Sequence, residues 1–332
     1  MVYIYKKIVG NIPYYYLRVS ERKGTKVIAK DIAYLGGSIS DVKKSLDNLT
    51  QYKDKIRKAY KKIHMFIESN HYLEKVSLMK PKKDPFIGDK FLDIEACKLH
   101  FNSVFKKNDA TTKKEILKNF IIEFAFNTAS IEGNTITLEQ ARNLLEEGLT
   151  PKDKTLREIY DLQNTEKVFL TLLSMSKDLS QSLITEIHSG LMQNIDTRLG
   201  YRTADVRVLK SNFKATPAPY VKADMEILLK WYNANKKTLY PLVLAAIFHH
   251  KFEKIHPFMD GNGRVGRMLL NYILIQNQYP PVIIQKKLRS EYLEYLRKVD
   301  KSDLTIARKE DYSPLAQFIA DELSGQYWNI FL

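Results

Sequence analysis

His256-Pro257-Phe258-Met259-Asp260-Gly261-Asn262-Gly263-Arg264-Val265-Gly266-Arg267 puts a base, a carboxylate, three glycines and two arginines within twelve residues. Both flanks are apolar with helical spacing, Leu242 to Phe252 before it and Met268 to Ile275 after it. The pattern predicts a helix-loop-helix whose glycines leave backbone N–H groups open at a helix N-terminus, a natural anion cradle with phosphate as its guest. In that cradle His256 accepts a proton at neutral pH. Asp260 offers a hard oxygen to Mg²⁺. Gly261 and Gly263 permit close backbone approach, Asn262 donates to a phosphate oxygen, and Arg264 and Arg267 clamp the outer phosphates. Phe258 points into the core.

Outward from this stretch the expected fold is mainly α. From about Thr111 onward the apolar spacing is helical, with Leu117, Ile121, Ile122 and Phe126 on one face and Leu183, Ile184, Ile187 and Leu191 on another. The exception is Arg202 to Leu209, which alternates around Val206 and Val208 and turns at Lys210-Ser211-Asn212, predicting a β-hairpin near 202–217. Residues 1–37 read as a small antiparallel meander of β-branched and aromatic runs broken by Gly10-Asn11 and Lys23-Gly24. Residues 38–78 read as a long amphipathic basic helix, and 79–110 as a linker marked by Pro81 and Pro85. Residues 111–332 form the main domain.

The 332 residues are 44% apolar and 27% charged, as expected of a folded globular chain. Apolar runs are too short for a membrane span, and Met1 to Lys7 lacks the layout of a signal peptide, so the expected location is the cytoplasm, with no membrane partner. Cys97 is the only cysteine, which excludes an internal disulfide and a Cys-based metal site. The net charge of +15 is uneven: residues 1–83 hold 19 Lys or Arg against 7 Asp or Glu, a net of +12, and the rest only +3. That basicity suits nucleic acid, an anionic surface or an acidic partner, or simply a solvated face.

Gly261-x-Gly263-x-x-Gly266 matches the dinucleotide fingerprint in letters only, because a helical segment precedes it where a strand is required. No Gly-x4-Gly-Lys-[Ser/Thr] run occurs, and His249, His250 and His256 lack a His-Glu-x-x-His context for zinc.

Residues 256–267 resemble the Fic family at every fixed position of His-x-Phe-x-[Asp/Glu]-Gly-Asn-Gly-Arg-x-x-Arg. The likeness covers roughly Ile116 to Leu323. It implies a helical core with a β-hairpin flap, and transfer of AMP from Mg·ATP (Mn²⁺ being an alternative) to a Ser, Thr or Tyr hydroxyl of a protein. On that reading His256 is the base and Asp260 holds the metal. Gly261 to Gly266, including Val265, bind the α- and β-phosphates, and Arg267 reaches the γ-phosphate. Thr128-Ala129-Ser130-Ile131-Glu132-Gly133 is similar to the family's inhibitory motif [Ser/Thr]-x-x-x-Glu-[Gly/Asn], on a helix near 117–132. A Glu132 carboxylate paired with Arg267 would occupy the guanidinium needed for the γ-phosphate. Val206, Arg207, Val208 and Leu209 match the flap over adenosine. Tyr292 lies where relatives place an aromatic near the adenine, although Leu293 and Asp300 depart from the pattern of some relatives. The resemblance also implies a homodimer, and leaves open removal of AMP with Glu132 orienting water. A regulator that binds nucleic acid through residues 1–83 is the rival from another class.

Overall fold

A computed structural model describes residues 1–10, 12–206 and 214–332. It opens with an antiparallel sheet in the order β1 (Val2–Val9), β2 (Ile12–Lys23), β3 (Lys26–Gly36). Val2, Ile4, Tyr15, Leu17 and Leu35 point to one face, as strand alternation requires, and pack on helices α1 (Ile39–Asn48) and α3 (Tyr60–Leu78) through Ile39, Val42, Ile63 and Ile67. Ser38 and Asp41 close a reciprocal capping box at the start of α1.

The helix expected over 38–78 is divided by a 3₁₀ turn at Thr50–Tyr52, by the short α2 (Lys53–Lys58) and by a break at Ala59. Asn48 and Thr50, whose side chains compete for backbone groups, stand at the first break. The stretch read as a linker over 79–110 differs more. Only its first part, around the two prolines, lacks regular structure; α4 (Lys90–Ser103) follows and buries Phe91, Ile94, Ala96, Cys97 and Phe101.

The remaining helices are α5 (Ala110–Ile131), α6 (Leu138–Glu147), α7 (Leu156–Ser174), α8 (Gln181–Leu191), α9 (Val221–Asn235), α10 (Pro241–Ile255), α11 (Asn262–Gln276), α12 (Arg289–Val299) and α13 (Lys309–Ile330). The antiparallel pair α10 and α11 runs through the middle of the main core. Leu242 to Phe248 on α10 and Met268 to Leu270 on α11 have no solvent exposure. At about 1.5–3 kcal/mol for each fully buried large aliphatic side chain, this pair fixes the position of the loop between its helices. No helix among the described residues is long and apolar enough to cross a membrane.

Candidate active site

The loop between α10 and α11 is shaped by two left-handed residues. His256 ends α10 at φ 53°, and Gly261 precedes α11 at φ 80°, where a Cβ would lie 2.8 Å from Met192 Sδ. His256 Nδ1 stands 3.3 Å from the Glu253 carbonyl oxygen, and a proton shared there leaves the basic lone pair on Nε2. Burial lowers the His256 pKa from its ordinary value, against smaller raising effects from the Glu253 carbonyl, Glu132 and Asp260. The imidazole is therefore neutral at pH 7.

Asn262 serves the loop itself. Its Oδ1 accepts from Phe258 N at 2.9 Å and its Nδ2 donates to Phe258 O at 2.8 Å, so the side chain holds the turn, a duty beyond the donation to a phosphate expected of it. Val265 is corrected as a ligand-binding residue: its side chain is buried and its N–H donates to Gly261 O. Gly266 packs against α10, where a Cβ would overlap the Glu253 carboxylate and lie 2.8 Å from His249 Nδ1. Glu253 is pushed up to about 8 by burial, with Glu132 adding to the rise and Arg267 opposing it.

The α11 N-terminus remains as the anion cradle, formed around Gly261 and Gly263, and an anion from the same chain already lies on it. A Cβ on Gly263 would overlap Glu132 Oε1. The same oxygen accepts from Arg267 Nη2 at 2.6 Å. Arg267 also donates from Nε to Thr128 Oγ1 at 2.7 Å and from Nη2 to Thr128 O at 3.1 Å. Burial opposes ionisation of both partners. For Glu132 the charge and hydrogen bond of Arg267, helped by Arg264 and His256, outweigh it and hold the carboxyl below the ordinary glutamate range; Arg267 is correspondingly raised. Glu132 keeps 40% of its side-chain surface open to water, whereas Arg267 keeps 3%. Gly133, at φ 107°, ends α5 just beyond.

Arg264 is buried, ion-paired to Asp161 of α7 and 3.4 Å from Asp260 Oδ1; burial lowers it to about 10 despite the nearby charge of Glu132. Asp260 Oδ1 accepts from Gly261 N at 2.6 Å, while its Oδ2 is ion-paired with the half-exposed Arg157. Among the described residues no group of three His, Cys, Asp or Glu could hold a metal. A single carboxylate completed by substrate phosphates and water is a donor set that fits Mg²⁺, and Asp260 meets it once Arg157 swings aside.

Three groups went unnoticed in the sequence. His188 stacks on Phe258 with centroids 3.7 Å apart, its Nε2 lying 3.1 Å from Asp260 O. Asp161 and Arg157 stand four apart on α7 and pair with Arg264 and Asp260, both at the α11 side of the loop; the only sequence signal was that one-turn spacing. Arg202, read as part of a strand, is buried and ties the loop to neighbouring backbone by donating to His256 O at 2.8 Å and Ala204 O at 3.1 Å. Val206 lies in irregular chain beside it; Arg207, Val208 and Leu209, with most of the expected hairpin, lie outside the described residues. Tyr292, expected beside a base, is instead 1% exposed, stacked on His249 and bonded to its Nε2 at 2.6 Å. Its ring also stacks on Phe318 of α13, so it is enclosed in the core.

Residues 178–274, which include this loop, match the model of the Fic/DOC family. The matched segment is a Fic domain. It is similar to the protein adenylyltransferase Fic of Aedes aegypti, with 34% identity over 231 residues, covering 66% of this chain and 43% of the relative. It is also similar to protein adenylyltransferase fic-1 of Caenorhabditis elegans, at 30% identity over 64% of this chain and 41% of the relative. The chain thus spans less than half the length of these curated relatives. A Fic domain containing signaling protein from Bacteroides thetaiotaomicron superposes with a TM-score of 0.66 at 26% identity, covering 72% of this chain and 96% of that one. A structure of Caenorhabditis elegans Fic-1 shares the fold over 87% of this chain, with a TM-score of 0.62 at 24% identity. In the Fic fold as built here, the family motif and Glu132 meet at one helix N-terminus.

Proposed function

We propose that this Fic chain transfers AMP from ATP to a Ser, Thr or Tyr hydroxyl of a protein, itself included, and that Glu132 holds it in a low-activity state. The observation that carries this reading is the Glu132 carboxylate lying against Gly263 at the α11 N-terminus while bonded to Arg267. A cradle whose backbone amides and buried guanidinium suit a polyphosphate is occupied by an acid of the same chain, so nucleotide and carboxylate compete.

In the transfer, His256 Nε2 takes the proton of the attacking hydroxyl, whose oxygen bonds to the α-phosphorus as the bond to the β-phosphate oxygen breaks and pyrophosphate leaves. Backbone N–H groups at Gly261 and Gly263 face the α- and β-phosphates, and Arg267 the γ-phosphate. Asp260 would hold Mg²⁺ or Mn²⁺, whose charge offsets that on the phosphates. The curated relatives named protein adenylyltransferase support the choice of AMP. A second reading, hydrolytic removal of AMP, is favoured by one feature: the Glu132 carboxylate stands at the α11 N-terminus with 40% of its side-chain surface open to water.

The test is transfer of α-phosphate-labelled ATP to protein with Mg²⁺, comparing wild type, Glu132→Gly, and Glu132→Gly with His256→Ala. Label in Glu132→Gly at least tenfold above wild type, and absent from the double variant, is the expected result. No label in any of the three, with the proteins folded and all four nucleotides tried, would exclude the transferase and favour the removal reaction.

A further inference from the structure

The sheet packs only one face on helices. On its other face the register aligns Tyr3 with Arg18, Tyr5 with Tyr16 and Lys7 with Tyr14 across β1 and β2, and Tyr16 with Tyr34 and Arg18 with Asp31 across β2 and β3. Opposed residues share a face, so five tyrosines and two cations stand together. Tyr34 is 55% exposed and the other four are partly exposed. Tyr16 and Tyr34 have centroids 5.4 Å apart and planes 53° apart, and Tyr14 lies 6.4 Å from Tyr34. Arg18 spreads its guanidinium over the Tyr5 ring at 3.7 Å, held there by Asp31 at 2.5 Å.

We infer that this open face binds a single-stranded nucleic acid, its bases stacking on the tyrosines and its phosphates meeting the basic side chains. Exposed aromatic rings side by side on a sheet offer a π-face to any base, and a cation lying flat on one of them extends the platform. Tyrosine and arginine also serve protein interfaces, but the charge argues for a polyanion. Residues 1–83 carry a net of +12, and the one acid aligned in these rows, Asp31, is consumed by Arg18. This inference is independent of the transfer reaction and concerns a surface that the active site does not use.

The experiment is fluorescence anisotropy of the full chain with labelled 12-nucleotide single-stranded DNA and RNA of mixed sequence, and with the matching DNA duplex, at low and moderate salt. Single strands are expected to bind more tightly than duplex and to weaken with salt. Tyr16→Leu and Tyr34→Leu should each weaken single-strand binding about tenfold, as loss of one stacked base does. Tyr16→Phe, which keeps the ring, should bind as wild type. A control removes charge elsewhere: Lys58→Ala with Lys62→Ala, in the lysine-lined groove between the packed side of the sheet and α2 and α3, should weaken binding less than Tyr16→Leu does. Three results would each overturn the inference: no binding at low salt, duplex binding that is stronger and insensitive to the tyrosines, or loss confined to the lysine variants. The first would leave the face to a protein partner, the others to phosphate contacts alone.

Discussion

Glu132 and Arg267 oppose each other with charges that burial alone would suppress, and each is kept ionised by the other. Removing the acid acts on more than the arginine. Glu132 is among the groups that raise the His256 pKa, so its loss drives the imidazole further down from a value that burial already holds below 6.5. A histidine titration followed by NMR, with His256 assigned by its absence in His256→Ala, should place His256 below 6.5 in the wild type and lower again in Glu132→Gly. A value well above 7 would mean that the base is largely protonated near neutrality, and would defeat the role given to it. His256, Asp260, Gly261, Gly263 and Arg267 were legible as one loop and helix start, because residue type and spacing determine where a loop can turn and what charge it bears. The individual duties of Asn262, Val265 and Gly266 were not legible. Whether an amide is spent on its own backbone, or a glycine faces solvent or a neighbouring helix, depends on contacts with Phe258, Glu253 and His249 that no spacing rule encodes.

The element that delivers Glu132 is α5, and its C-terminal end is secured from three sides. Gly133 N donates to Ser130 O and Asn134 N to Ala129 O, closing the last turn. Asn134 Nδ2 reaches Glu158 O at 3.0 Å on α7, and Arg289 Nε of α12 donates to Ile131 O at 2.7 Å. Gly133 holds φ 107° with open space where a Cβ would stand, so Gly133→Ala introduces backbone strain with no steric clash. The expected cost is about 1–3 kcal/mol of stability, measured by urea unfolding. The strained turn also shifts the carboxylate, so self-labelling should rise above wild type yet stay below Glu132→Gly. Unchanged labelling with lowered stability would show that Arg267 alone positions Glu132. At this scale the helices of the main domain were readable from apolar period, whereas α4 was hidden by the charged, proline-containing stretch just before it. Its burial against α3 and α13 is a long-range matter, which local punctuation does not report.

In the whole molecule two cores meet along α3. Its first half, with Ile63 and Ile67, belongs to the sheet, and its second half, with Tyr72 and Val76, packs on Ala96 of α4 and on Trp328 of α13. By charge the chain divides into a basic part, residues 1–83, and a nearly neutral remainder, but α3, which lies within the basic part, packs its second half on α4 and α13, so the basic unit is anchored to the main helical core. His100 lies in this seam, against Tyr72, Tyr327 and Trp328, with Nδ1 2.7 Å from Tyr327 Oη. Burial lowers its pKa from 6.5 to about 4. Between those values the unfolded chain binds the proton that the folded chain refuses, so stability rises with pH; the contribution is complete above 6.5 and is lost as pH falls toward 4. Full loss amounts to about 3 kcal/mol. His100→Gln loses the ring contacts, so it should be less stable than wild type at pH 7; because it cannot titrate, the gap should narrow by roughly 2 kcal/mol at pH 5 in urea unfolding. Hydrogen exchange should show the loss first in α3, α4 and the end of α13, because protonation strikes the seam. A gap of the same size at both pH values would assign the acid sensitivity to the other buried histidines, His188, His249 and His250, and leave the junction between the two cores indifferent to pH.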